Sequence, residues 1–147
     1  MTKPALSGTT RKATTWCGPY AMATVCGMDY DTVYKKMLRA YNKRTPYKRK
    51  YISGVTNTLM QIVSKTVKHE IEFKRAERVT SVSQYLNYLY PNRVYILQIT
   101  GHYIVVDTSD WTVCDNQSQE WVPLKGSKHI RCKVRNVAEV KKVTLPH

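Results

Sequence analysis

Apolar positions recur along this chain first at helical and then at strand spacing. Residues 1–15 are polar, rich in Thr and without periodicity, and read as an extended leader to a single domain spanning 16–147. The segment Cys17–Cys26, CGPYAMATVC, consists of good helix formers, with Pro19 tolerated in the first turn and Gly27 placed to end the helix. Asp29 or Asp31 can cap a second helix in which Val33, Tyr34, Met37, Leu38 and Tyr41 recur at helical spacing while Lys35, Lys36, Arg39 and Lys43 face elsewhere. Residues 42–53 read as a basic loop around Pro46. Thr56 to Val67 reads as a third helix with Leu59, Met60 and Val63 inward, and His69 to Lys74 alternates as a short strand. A fourth helix, capped by Thr80 or Ser81, sets Val82, Tyr85, Leu86 and Leu89 on one face and ends before Pro91.

The period then shortens. Val94 to Ile99, Tyr103 to Asp107, Trp111 to Asp115, Glu120 to Leu124, Ile130 to Arg135 and Val137 to Val143 are β-type runs separated by turn residues. Helices over about 16–90 followed by strands over about 93–145 predict an α+β domain, a helical half packed on an antiparallel sheet. With 147 residues, 42% of them hydrophobic, the chain can bury a core without disulfide or metal staples. Its apolar runs fall far short of the roughly 20 residues that cross a bilayer, so no membrane insertion is expected. Residues 1–10 hold no apolar stretch of the kind a secretory signal needs, which predicts a cytoplasmic or virion-associated protein.

Charge changes the picture of partners. Twenty-four Lys and Arg against ten Asp and Glu give a formal charge of +14. Residues 32–69 carry ten of those basic groups and no acid, densest at Lys43, Arg44, Lys48, Arg49 and Lys50 and interleaved with Tyr41, Tyr47 and Tyr51. Basic groups beside aromatics grip phosphates and stack on bases, so a nucleic acid or other polyanion is an expected partner; the competing reading is a solvated face that maintains solubility.

The chemistry-bearing residues are few. No CxxC pair occurs among Cys17, Cys26, Cys114 and Cys132, and His69, His102, His129 and His147 lack zinc-ligand spacing, so no metal and no organic cofactor is expected. Free thiols are the default without a secretion signal. Cys17 opens a predicted helix, where the helix dipole favours thiolate and free backbone N–H groups can face an oxyanion; Cys26, Cys114 and Cys132 read as small core hydrophobes. A thiolate nucleophile needs a base. His102, after Gly101 at the mouth of an apolar strand, is the best supported, whereas His69, His129 and His147 lack comparable support. A two-residue turn at Thr108 and Ser109, or a four-residue loop over 107–110, sets His102 directly opposite Asp115. A three-residue turn sets Asn116 there instead. Asp115 is favoured, because Trp111 and Val113 on its face match Ile104 and Val106 on the face of His102.

WCGPYAMA at 16–23, GHYIVV at 101–106 and VCDNQ at 113–117, in that order, resemble the papain-like cysteine peptidases, especially the compact bacterial and phage-encoded branch that includes bacteriocin-processing peptidase domains. Gly27 to Tyr34 is similar to the opening of that branch's second helix. The resemblance covers about residues 16–122 and implies a helical half carrying Cys17 packed on an antiparallel half carrying His102 and Asp115, with the site between them. It implies a cysteine peptidase or thiol amidohydrolase that cleaves a protein, isopeptide or peptidoglycan amide through an acyl-enzyme. Papain-like enzymes usually place a Gln before the nucleophile as an oxyanion donor. Residues 1–16 contain neither Gln nor Asn, so Arg11, a Thr hydroxyl at 14 or 15, or the indole of Trp16 is the expected substitute. The rival expectation is a basic, nucleic-acid-associated protein on a catalytically weak scaffold of the same kind.

Overall fold

The computed structural model describes residues 16–52, 55–118 and 120–141. In chain order it forms α1 (Cys17–Cys26), α2 (Tyr30–Arg44), α3 (Asn57–Thr66), β1 (Glu70–Arg75) and α4 (Val82–Tyr85), the last continued by a 3₁₀ turn over Leu86–Tyr88. Then come β2 (Val94–Ile99), β3 (His102–Asp107), β4 (Thr112–Cys114), β5 (Val122–Pro123) and β6 (Val134–Lys141). The fold is α+β, with four helices and one six-stranded antiparallel sheet ordered β1-β6-β2-β3-β4-β5 among the described residues. No helix among them is long and apolar enough to cross a membrane.

Local chemistry sets the helix boundaries. The Asp29 carboxylate accepts the Thr32 N–H at the start of α2, Thr56 accepts the Leu59 N–H at α3, and Ser81 accepts the Gln84 N–H at α4. Each such cap satisfies a donor that the first turn leaves open, a contribution of about 1 kcal/mol. Gly27, at φ 64°, ends α1 in the left-handed region, where a side chain is strained.

Where strands were expected at both Ile130–Arg135 and Val137–Val143, the structure has the single strand β6. Residues 127–132 turn instead, with the Ile130 N–H donating to Ser127 O and the Cys132 N–H to His129 O. The carbonyls of Ile130 and Cys132 accept the N–H groups of Ser83 and Val82, so their hydrogen bonds go to the first turn of α4 rather than to a ladder. The fourth helix is correspondingly short.

Both sheet faces are covered. Helices α1, α2 and α3 bury one face around Tyr20, Met22, Met37, Met60, Tyr103 and Val105, while α4 and the segment from Leu124 to Val134 bury the other around Tyr85, Leu97, Ile104 and Val106. Buried from Gly18 to Cys26, α1 is the central helix, held against α2 and β3. A Cβ built on Gly18 would stand 2.1 Å from Val55 Cγ2, a side chain that β-branching leaves little room to turn. Gly18→Ala is therefore expected to destabilise the fold by roughly 1–3 kcal/mol. Thermal unfolding checks this, and an unchanged melting temperature would mean that α1 starts elsewhere.

Candidate active site

The site lies where the N-terminus of α1 meets the β2–β3 turn. Cys17 is the first residue of α1, and Trp16 before it makes no side-chain cap bond. The Tyr20 N–H donates to Trp16 O and Pro19 has no N–H, so the N–H groups of Cys17 and Gly18 are the first-turn donors suited to an incoming acceptor. His102 follows a two-residue connection, Thr100 and Gly101, closed by the pair Ile99 and His102. Gly101 takes φ 70°, which a larger residue would resist. That turn puts His102 at the very start of β3, while Tyr103 and Val105 face α1 and Ile104 and Val106 face away.

Asp115 immediately follows β4 and is buried. The turn that brings it there differs from both expected geometries. β3 and β4 close on the pair Asp107 and Thr112 around a four-residue loop over 108–111, with Trp111 at φ 54°, so that Val106 pairs with Val113 and Val105 with Cys114. His102 therefore does not lie directly opposite Asp115, nor opposite Asn116. The register is two residues off the favoured one, and a two-residue shift preserves the face. Asp115 shares the side of Val113, Ile104 and His102 and reaches the imidazole diagonally, its Oδ2 being 2.8 Å from His102 Nε2. The bond to Nε2 is thus made by Asp115, the favoured of the two expected partners.

A third ring completes the cluster. His129, set aside on sequence grounds, comes from the turns before β6 and brings its Nε2 to 2.6 Å from the same Asp115 Oδ2. It stacks on His102 with ring centroids 5.1 Å apart. The other carboxylate oxygen, Oδ1, accepts the Ser118 N–H at 2.8 Å. Neither periodicity nor spacing marked His129. The only local cue is a His in a turn-rich SKHI segment after Gly126, which many surface loops would share.

Electrostatics follow from these contacts. Burial opposes ionisation of Cys17, but the hydrogen bond from His102, the Tyr103 backbone N–H and the His102 charge outweigh it, and the thiol pKa is lowered. Burial likewise disfavours the His102 cation, yet bonding to Asp115 and Cys17 raises it to about 9. With Nε2 committed to Asp115, Nδ1 is the nitrogen left for the thiol. Asp115 resists its own burial because the His102, Ser118 and His129 donors hold it well below the usual carboxylate range. His129 goes the other way: burial first, then the charges of His102 and Lys128, outweigh Asp115 and keep it neutral. These contacts favour the charged forms of Cys17 and His102, with a buried carboxylate behind the imidazole.

The other cysteines lack such surroundings. Burial alone pushes Cys26 up to about 12, Cys114 is fully enclosed within contact of the Tyr20 hydroxyl, and Cys132 packs beside the second core cluster. None of the four cysteines forms a disulfide. Of the expected oxyanion donors, Trp16 is the residue preceding α1 and half-buried, while Arg11, Thr14 and Thr15 lie outside the described residues. His102, Asp115 and His129 also offer three donor atoms within 4.8 Å of one another, a metal-competent grouping that His spacing along the chain did not indicate.

The basic stretch folds back on α2. Lys48 Nζ donates to the Asn42 and Thr45 carbonyls at the end of that helix, and the Asn42 side chain holds both the N–H and the C=O of Arg49. Arg49 covers the Tyr41 ring at 5.5 Å. Lys43, Arg44 and Lys50 remain in solvent, with Tyr47 80% and Tyr51 75% exposed beside them. No family model, curated protein or solved structure matches the chain.

Proposed function

We propose that the protein is a thiol amidohydrolase of the papain-like kind, a cysteine peptidase in the broad sense, acting through an acyl-enzyme. The observation that carries the reading is the convergence of a helix N-terminal thiol, an imidazole and a buried carboxylate, with the imidazole between the other two. The chain order Cys17, His102, Asp115 and the packing of α1 on an antiparallel sheet support the family resemblance.

The steps follow from the charges. Cys17 Sγ attacks the amide carbonyl carbon, and the new oxyanion faces the first-turn N–H groups of α1. His102, holding the proton taken from the thiol, gives it to the leaving amine as the C–N bond breaks. Water then enters, losing a proton to His102 as its oxygen bonds to the acyl carbon, and the C–S bond breaks to restore the thiolate. Asp115 stays ionised throughout and keeps Nδ1 of His102 turned to the thiol.

Alkylation of Cys17 by iodoacetamide across pH tests this directly. Its rate should plateau at acidic to neutral pH, where ordinary thiols near pKa 8.5 are slow. Hydrolysis should be bell-shaped, rising with thiolate formation and failing as His102 loses its proton near pH 9. Uniformly slow labelling of all four cysteines with an alkaline profile would overturn the reading.

A second reading, polyanion binding, is favoured by the solvent-facing Tyr47 and Tyr51 among Lys43, Arg44 and Lys50. If single-stranded nucleic acid stacks there, affinity should fall steeply with salt, and Tyr47→Ala with Tyr51→Ala should weaken it by about 1–3 kcal/mol per stacked base. Fluorescence anisotropy at several salt concentrations measures both effects. An unchanged affinity in the double variant leaves these tyrosines without a role in binding.

A further inference from the structure

One imidazole suffices to be oriented by a carboxylate, so the second imidazole on Asp115 calls for an account of its own. We propose that His102 Nε2, His129 Nε2 and Asp115 Oδ2 form a site for a divalent cation of the zinc class, whose occupancy holds the Cys17–His102 pair inactive. The three donor atoms lie within 4.8 Å of one another, and Oδ2 is 2.8 and 2.6 Å from the two nitrogens. Two imidazoles and one carboxylate suit zinc, cobalt or nickel, whereas magnesium and calcium prefer oxygen throughout.

The surroundings match what such a site needs. The rings stack with 29° between their planes, which aims both Nε2 atoms at one oxygen. Ser118 N–H holds Oδ1 and so fixes the carboxylate from behind, as outer partners do for metal-binding carboxylates. Ligands at about 2.0–2.1 Å in a tetrahedral set stand roughly 3.3 Å apart, so Oδ2 must withdraw by roughly half an ångström from each nitrogen while the two nitrogens, within 4.8 Å of each other, close by up to about 1.5 Å. The histidine side chains retain 15% and 11% exposure, and a groove lined by Ser118, Gly126, Ser127 and His129 opens beside Asp115, leaving a path for the ion and for a water as fourth ligand.

The proton balance explains the inactivation. Coordination forms a metal–nitrogen bond at Nε2, and the proton there departs. In a neutral ring it relocates through solvent to Nδ1; in an imidazolium it is released, leaving the Nδ1 proton in place. His102 then faces Cys17 with Nδ1–H. It cannot accept the thiol proton, and it can give up its own only by becoming imidazolate.

The inactivation rests on the hydrolase reading, whereas the binding does not, and the experiment separates them. Zinc chloride is titrated calorimetrically into the full chain and into Cys17→Ser, His129→Ala and His129→Gln. The glutamine variant keeps an N–H for Asp115 but removes the imidazole, and thermal unfolding confirms that each variant is folded. One equivalent is expected to bind the native chain and Cys17→Ser alike, with at least about 100-fold weaker binding in a folded His129 variant. Magnesium should not compete. Cobalt in Cys17→Ser should give the visible bands of a tetrahedral nitrogen–oxygen site. Absence of stoichiometric binding, its loss in Cys17→Ser, or its persistence in folded His129→Gln would overturn the site. Binding that leaves the rapid iodoacetamide labelling and amide hydrolysis of the native chain untouched would overturn the inactivation alone. Ordinary Cys17 reactivity without metal would overturn the hydrolase reading and the inactivation, while the site stands.

Discussion

Cys17→Ser is expected to abolish amide hydrolysis, a fall of at least about 10³-fold, with little change in the melting temperature. The substituted atom is isosteric and half-buried at a helix end, so packing around Gly18, Val55 and Met60 is preserved. What disappears is acidity. The His102 contact and the neighbouring N–H groups lower the thiol's pKa below its ordinary value, but a hydroxyl is far too weak an acid to ionise in the same surroundings. Intact mass after incubation with a panel of peptide, isopeptide and peptidoglycan amides would show an acyl adduct on the native chain and none on the variant. His102→Ala keeps the thiol and loses its partner, so acid-side labelling should slow at least tenfold. Full hydrolysis by Cys17→Ser would require a different nucleophile.

Asp115→Asn should lower turnover by roughly 10²- to 10⁴-fold, the range expected when an imidazole loses its orienting carboxylate and takes the wrong tautomer. It should also move the alkaline limb of the pH profile down from about 9 toward the ordinary histidine range, because an amide does not stabilise the imidazolium. A defect in folding alone would reduce the amount of active protein without moving that limb. Asn116→Ala, by contrast, should change turnover less than about threefold, since the bond to Nε2 is made by Asp115. The opposite ranking of the two variants would mean that the β3–β4 register differs in the active form.

Much of the fold was legible because it rests on short-range chemistry. The helical run from Cys17 to Gly27, the caps at Asp29, Thr56 and Ser81, and the strands beginning at Val94 and ending at Asp107 all depend on propensity and turn residues a few positions apart. The alternating run Ile130–Arg135 misled for the converse reason. Its strand-like composition is real, but its carbonyls are claimed by α4, a segment almost fifty residues earlier.

Three members of the candidate site had placements visible on the same terms: Cys17 at a helix start, His102 at a strand start, and Asp115 on the face that strand alternation assigns to it. Alternation has a period of two, so it specifies the face of Asp115 even when the turn shifts the register by two residues. The sequence by itself thus determined most of the element types, the segment before Val134 excepted, the thiol at the helix end and which side of the sheet the imidazole and carboxylate share. Tertiary structure alone decided the diagonal reach of Asp115, the separation of Lys48 and Arg49, spent on α2, from the freer charges around them, and above all the arrival of His129 on the same carboxylate oxygen. Those depend on where turns of no fixed period deliver their side chains, a matter of loop closure and packing that no pattern in neighbouring residues encodes.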